Sequence, residues 1–250
     1  MLLFQTSCAT TAVHEGQAEE NHWGYTGKTG PEYWHTLDPA YTAARDGKAQ
    51  SPVNIITADL VPADTAEKLS FYYHTVYFKI ENNGHTIEIA PSDYSNYIII
   101  DDSKFILQQI HFHLPGEHTV DGKSFDMEAH LVHKNAEGAV AVVGILIAQG
   151  RENPALKETF GKLPKTITSE EDLMETPESF NPEDLLPAEK AMYRYDGSLT
   201  TPPCTEGVKW SVFARTIELS EAQINAFKAI YAGNSRPVQQ LNDRKVYRAE

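Results

Sequence analysis

From Gln109 to His133 the chain reads QIHFHLPGEHTVDGKSFDMEAHLVH, two alternating segments joined by a loop, and no other stretch constrains the fold as tightly. Successive side chains on a strand point to opposite faces, so Gln109, His111 and His113 share one face while Ile110, Phe112 and Leu114 share the other. The loop LPGEHTVDGK carries Pro115, Gly116 and the Asp121-Gly122 turn signal, and it returns the chain as a second strand from Met127 to Val132. On that strand Glu128, His130 and Val132 share a face. Antiparallel pairing would set His130 opposite the first two imidazoles.

The same grammar extends outward. SFYYHTVYFKIEN, HTIEIA, YIIID and KFILQQIHFHL are rich in Val, Ile, Tyr and Phe and are separated by Asn-Gly, Pro-Ser-Asp and Asp-Asp-Ser signals, which spells antiparallel sheet. AVAVVGILIAQG is a continuous apolar run, suited to a central strand covered on both faces. Helical signals are few. NPALKETFGKL offers an Asn153 cap, Pro154 at the first helical position and Gly161 near its end. LSEAQINAFKAIYAG starts at a Ser220 cap and is expected to stop at Gly233, with Ile224, Phe227, Ile230 and Tyr231 at helical spacing. The acidic stretch from Ser169 to Asp184 reads as a surface loop. These signals predict a mainly β, mixed α+β chain: a single domain built on a large, mostly antiparallel central sheet with short peripheral helices. A length of 250 residues with 41% hydrophobic content is enough to bury one such core.

A formal charge of −14 argues against nucleic-acid binding, which needs a basic footprint. No apolar run approaches the roughly 20 residues that span a bilayer. Residues 1–21 form a leader with a short apolar head and a polar, acidic tail, open to three readings: a trimmed export signal, a lipoprotein-like Cys8 or a disordered segment. Residues 22–250 form the remaining domain.

Three neutral imidazoles with an open fourth position describe a catalytic zinc site, because a structural one is closed by four protein ligands. Gln109 and Glu128 each sit two residues before a proposed ligand on the same face, where they could receive the ligands' second N–H groups. The plainer alternative is a polar strand face that carries histidines and no metal.

HFH, GEHTVDGK, EAHLVH and the distant YDGSLTTPPCTEGVKW together resemble the α-class carbonic anhydrases of bacterial type. The likeness runs from HWGYTGKTGPEYW, around Trp23, through QSPVNI and NNGH to RPVQQLNDR, which ends at Arg244. It implies Zn2+ on His111, His113 and His130, and reversible hydration of CO2 to bicarbonate and a proton by zinc-hydroxide attack. It makes Thr200 a gatekeeper whose hydroxyl donates to Glu117, and Thr201 part of the polar side. Val132, Val142, Leu199 and Trp210 become an apolar wall for CO2. His85 becomes the proton shuttle, with Tyr25 and Asn83 ordering water beside it, and the backbone carbonyl of Asn242 orients the second histidine. The resemblance further implies sulfonamide and anion inhibitors, a side activity on activated esters, a periplasmic or secreted location and room for a homodimer; its alternative is a catalytically silent binding module on the same fold. Two features depart from the family pattern. Exported relatives commonly pair a cysteine six residues before Gln50 with the one after TTPP, and here Cys204 is present while the earlier position is Ala44. Glu88, three residues after His85, stands where many relatives have a neutral polar residue, and there it would alter the field along the proton path.

Overall fold

The computed structural model describes residues 23–63, 68–169, 174–175 and 179–249; the expected leader and its Cys8 lie outside them. In chain order the strands are β1 (Asn54–Ile55), β2 (Val61–Pro62), β3 (Leu69–Tyr72), β4 (Phe78–Asn82), β5 (Ile87–Pro91), β6 (Tyr97–Ile100), β7 (Ser103–His113), β8 (Thr119–Val120), β9 (Met127–Lys134), β10 (Val140–Gln149), β11 (Met174–Glu175), β12 (Met192–Ser198), β13 (Glu206–Phe213), β14 (Ile217–Leu219) and β15 (Tyr247–Ala249). The α-helices are α1 (Trp34–Leu37), α2 (Ala43–Asp46), α3 (Lys157–Gly161) and α4 (Glu221–Lys228). Among the described residues no helix is long and apolar enough to cross a membrane.

β1 and β8 pair on their own, and the other 13 strands form one sheet whose main path runs β11-β4-β5-β7-β9-β10-β13-β12-β15-β2. β6 pairs with the first half of β7, β3 lies beyond β6, and β14 continues the edge of β10 past β13. Most pairings are antiparallel, as the turn signals require. The exceptions are β1 with β8, β13 and β14 with β10, and β2 with β15, which pair in parallel. β10 is the apolar run VAVVGILIAQ and is buried over most of its length, the setting in which parallel pairs are found.

An irregularity in β7 gives the sheet its two distinct faces. Phe105 and Leu107 are buried on the core side, and so are Ile110 and Phe112, so the apolar positions switch from odd to even numbers between them. A register shift between Leu107 and Gln109 absorbs the extra residue, a β-bulge. Without it the second half of the strand would turn its histidines into the core. On the core side Phe112 meets Phe160 of α3 at 5.1 Å and Phe227 of α4 at 6.2 Å. Burial of each such ring contributes about 1.5–3 kcal/mol.

Two expectations are corrected. Part of the acidic stretch is strand: Met174–Glu175 pairs with Ile80 and Lys79 and caps the open edge of β4. The helix capped by Ser220 has the reciprocal Ser220–Gln223 capping box, but it ends at Lys228 and not at Gly233. Tyr231, whose N–H still bonds the Phe227 carbonyl at 2.9 Å, donates its hydroxyl to the side-chain oxygen of Asn82 and so ties the turn after the helix to β4.

Candidate metal centre

Antiparallel register sets His111 directly across from His130, His113 across from Glu128 and Gln109 across from Val132. The three imidazoles His111, His113 and His130 form one cluster whose ligand atoms lie within 4.8 Å of one another. Their hydrogen bonds fix which nitrogen is bare. His111 Nδ1 donates to Gln109 Oε1 at 2.7 Å, and His113 Nδ1 donates to the Asn234 carbonyl at 2.7 Å. His130 Nε2 donates to Glu128 Oε1 at 2.8 Å. Each acceptor lacks a hydrogen to give back, so the other nitrogen of each ring carries a free lone pair. His111 Nε2 and His113 Nε2 consequently face each other at 3.0 Å with no proton between them. That is an unfavourable contact unless a cation lies between the rings. Tetrahedral zinc with bonds of about 2.0–2.1 Å holds two nitrogens about 3.3 Å apart, so the residues fit the ion. Burial lowers the pKa of all three rings, His111 well below its usual value and His113 to about 4, which keeps them neutral and able to bind metal.

The carboxylate behind this cluster is a hub. Glu128 is fully buried; its Oε2 accepts the backbone N–H groups of Glu117 and His118, each at 2.8 Å, and its Oε1 accepts His118 Nδ1 at 2.6 Å as well as His130. Burial alone would raise its pKa, but His118 and His130 hold it well below the ordinary carboxylate range. The hub needs room, which Gly144 supplies: it lies opposite His130, and a Cβ there would come within 3.3 Å of Glu128 Oε1. From His118 a chain of hydrogen bonds continues through the Tyr195 hydroxyl at 2.6 Å to Ser51 Oγ at 2.9 Å. Sequence reasoning missed His118, Tyr195 and Ser51. His118, Glu128 and His130 also group closely enough to suggest a metal set. Both nitrogens of His118 are already engaged, however, so this set is a hydrogen-bond relay.

Asn242 does not orient the second histidine. Its side chain is exposed and donates to the Lys48 carbonyl, whereas the carbonyl on His113 belongs to Asn234. Asn234 is fully buried just beyond the turns that follow α4. Its amide accepts from Leu114 N and donates to the carbonyls of Phe112 and His85, clamping β7 to the His85 loop.

Glu117 is buried beside the cluster, 4.0 Å from His130 Nε2. Its Oε1 accepts the Arg236 backbone N–H at 2.8 Å, while Oε2 lacks a well-formed hydrogen bond. Burial raises its pKa to about 7, opposed by His130, the Arg236 N–H and the nearby Thr200 hydroxyl. Thr200 is itself buried, and Thr201 is half-buried at the turn that follows, its carbonyl accepting Cys204 N at 2.9 Å. Among the described residues Cys204 has no disulfide partner and is buried, and hydrogen bonds join the segments there: Gln50 Nε2 donates to the Cys204 carbonyl at 3.0 Å, and the Arg236 guanidinium reaches the Ala44 carbonyl at 3.1 Å. Tyr25 lies close enough for Glu117 and Cys204 to reinforce the rise in its pKa that burial causes.

Val132, Val142 and Trp210 stand side by side across β9, β10 and β13, and Leu199 packs on the same cluster. The Trp210 ring lies 4.9 Å from His130, and its N–H donates to the Ser198 carbonyl. His85 is half-buried and stacks on Trp23 at 3.6 Å. The Asn83 oxygen accepts the N–H groups of His85 and Thr86 and shapes their loop, which leaves its NH2 group as the part that could order water. Glu88 lies across from His111 in register, and burial, with Glu81 adding to it, raises its pKa to about 7.

Three converging lone pairs beside a carboxyl and a hydroxyl define a metal centre of catalytic type on a β-sheet. Comparison with known proteins gives the family. A model described as eukaryotic-type carbonic anhydrase matches residues 29–250. A carbonic anhydrase of Pectobacterium atrosepticum is 39% identical over 243 residues, 96% of this chain and 97% of that protein. The α-carbonic anhydrase of Thermovibrio ammonificans, solved in complex with the inhibitor sulfanilamide, matches with a TM-score of 0.86 at 43% identity, covering 90% of this chain and 98% of that one. The fold also matches dioscorin complexed with ascorbate, with a TM-score of 0.83 at 31% identity over 92% of this chain and 98% of that one. The chain belongs to the α-carbonic anhydrase family, zinc-using carbonate dehydratases whose general function is CO2 hydration.

Proposed function

We propose that this chain hydrates CO2 reversibly at a zinc ion held by His111, His113 and His130, and the observation that carries the reading is the convergence of their three bare nitrogens. When bound, zinc supplies the Lewis acidity that lets water lose a proton near neutral pH; the pKa of about 7 is the known magnitude for carbonic anhydrases and is taken over from them. Gln109, the Asn234 carbonyl and Glu128 hold the three rings in the tautomers that present those nitrogens.

Thr200 and Glu117 set direction. An ionised Glu117 can only accept, so the Thr200 hydroxyl must give its hydrogen to that carboxylate and keep its oxygen as an acceptor. Whatever sits against Thr200 then has to donate to it, which turns a nucleophile's lone pair toward the substrate and rejects ligands without a hydrogen to give. Thr201 lines the polar side. Val132, Val142, Leu199 and Trp210 form no hydrogen bonds toward the cavity, so an uncharged linear molecule can displace water there. His85 carries the released proton toward buffer, with its ring steadied by Trp23 and with Tyr25 and the Asn83 NH2 group beside the path. The same donor rule makes aromatic sulfonamides inhibitors, in keeping with the sulfanilamide complex of the Thermovibrio ammonificans protein. A periplasmic or secreted location rests on the resemblance to exported bacterial members.

The test is His130→Ala. Zinc and CO2 hydration should be lost together, whereas stoichiometric zinc with full turnover in that variant rules out this ligand set.

A further inference from the structure

The segment that follows α4 is tied to the His85 loop on both sides of the histidine. After it, Asn234 Nδ2 donates to the His85 carbonyl at 3.2 Å. Before it stands Gly84, whose backbone N–H donates to Asn82 Oδ1 at 3.1 Å, and the same oxygen accepts the Tyr231 hydroxyl. A backbone hydrogen bond from Gly84 also reaches the Tyr231 hydroxyl. Asn82 is a fixed intermediary: it is buried, its N–H donates to Thr168 Oγ1 at 2.9 Å, its carbonyl accepts Thr168 N at 2.9 Å, and its Nδ2 donates to the Pro164 carbonyl at 3.0 Å. Tyr231 itself is half-buried, with its ring 5.8 Å from that of Phe227 in the core.

Why the loop needs such ties follows from its glycine. Gly84 has φ +87°, a conformation that glycine enters easily and leaves as easily. Stacking on Trp23 fixes the face of the His85 ring, but the backbone that carries the ring is set by the bonds on either side of it. A hydroxyl both donates and accepts, so Tyr231 can give its hydrogen to Asn82 and receive the Gly84 N–H at once, which phenylalanine cannot do. Transfer steps depend steeply on such placement, since a displacement of about 1 Å can cost about 100-fold in rate.

We propose that Tyr231 is a positioning residue for the proton-transfer step, acting through Asn82 and Gly84 on the backbone that carries His85; this rests on the reading of His85 as the shuttle. Stopped-flow CO2 hydration by the zinc-loaded full chain tests it with Tyr231→Phe, His85→Ala and the two combined. Tyr231→Phe keeps the ring against Phe227 and should lower kcat in dilute buffer by about three- to tenfold, the factor by which one lost hydrogen bond shifts a loop equilibrium. It should leave kcat/KM for CO2 and the zinc content unchanged, and imidazole should restore kcat. In the His85→Ala background it should have no further effect, because both changes disable the same step. Amide hydrogen exchange across residues 82–86 should quicken in Tyr231→Phe, a readout independent of turnover. If His85→Ala lowers kcat and Tyr231→Phe does not, the proposal falls and the shuttle stands; if His85→Ala leaves kcat unchanged, both fall. An equal further loss in the His85→Ala background, a parallel loss of kcat/KM or zinc, or unaltered exchange across 82–86 would each overturn the proposal.

Discussion

Replacing Glu128 with glutamine changes one oxygen into an NH2 group at a point where all four neighbours are donors. The carboxylate accepts two backbone N–H groups on Oε2 and two imidazole N–H groups on Oε1. Whichever way the amide turns, its NH2 faces two hydrogens. Backbone N–H groups have no alternative, so the amide oxygen should stay with Glu117 and His118 N while the NH2 group turns toward the imidazoles, which can shift tautomer. For His130 that shift moves the hydrogen to Nδ1, the nitrogen that must face the metal. Two hydrogen bonds to a charged acceptor, at about 1.5–3 kcal/mol each, give way to neutral ones at about 0.5–1.5 kcal/mol each, and relief from burying a charge returns part of the difference, for a net cost of about 1–3 kcal/mol. A domain of ordinary stability, about 5–15 kcal/mol, still folds. Zinc affinity should fall by about 10- to 100-fold. Urea unfolding of the metal-free protein followed by tryptophan fluorescence measures the first effect, and zinc titration against a competing chelator measures the second. An unchanged midpoint together with zinc affinity within a factor of about two would refute the hub.

Other consequences are open to direct measurement. Burial holds His133 neutral with its pKa lowered from 6.5 to about 3, so the unfolded chain takes up a proton below pH 6.5 that the folded chain refuses until about pH 3. Stability should therefore fall with pH across that window, by about 2 kcal/mol between pH 6.5 and 5, and His133→Leu should flatten the slope by that amount; an unaltered slope counts against the burial argument. Asn234→Ala, which frees the clamp on β7, should weaken zinc binding about tenfold while Asn242→Ala leaves it unchanged, and the reverse order would restore the reading based on position alone. His85→Ala should lower kcat about tenfold or more in dilute buffer, spare kcat/KM for CO2 and be rescued by imidazole. The reason is kinetic: an acid of pKa about 7 passes its proton to water at only about 10³ per second if recombination is diffusion-limited, against the roughly 10⁶ per second known for this type of enzyme. An unchanged kcat in dilute buffer would exclude His85 as shuttle.

Strand alternation makes the three imidazoles and their two side-chain partners legible in the amino-acid sequence, because a strand's two faces are fixed by counting residues. The bulge at Leu107–Gln109 does not disturb that count, since it falls just before the histidines. The third partner is not legible. Asn234 lies 121 residues from His113, and its contribution is a backbone carbonyl, which no side-chain pattern announces. Asn242 draws the role instead because it sits in a family-like segment close to Arg244. His118 escapes notice because its partners Tyr195 and Ser51 belong to remote segments and meet only when β12 is in place. The Tyr231–Asn82 contact after α4 is hidden for a similar reason, being tertiary. Gly144 is visible as the lone glycine in the β10 apolar run, and what crowds it, the Val212 side chain and the Glu128 carboxylate, needs the cross-strand register.

The central claim is tested most directly by titrating zinc into the metal-free chain while following stopped-flow CO2 hydration. The account expects activity to rise linearly and to level off at one zinc per chain, with chelation abolishing it and fresh zinc restoring it. Stoichiometric zinc without hydration, or hydration that does not depend on zinc, would contradict it.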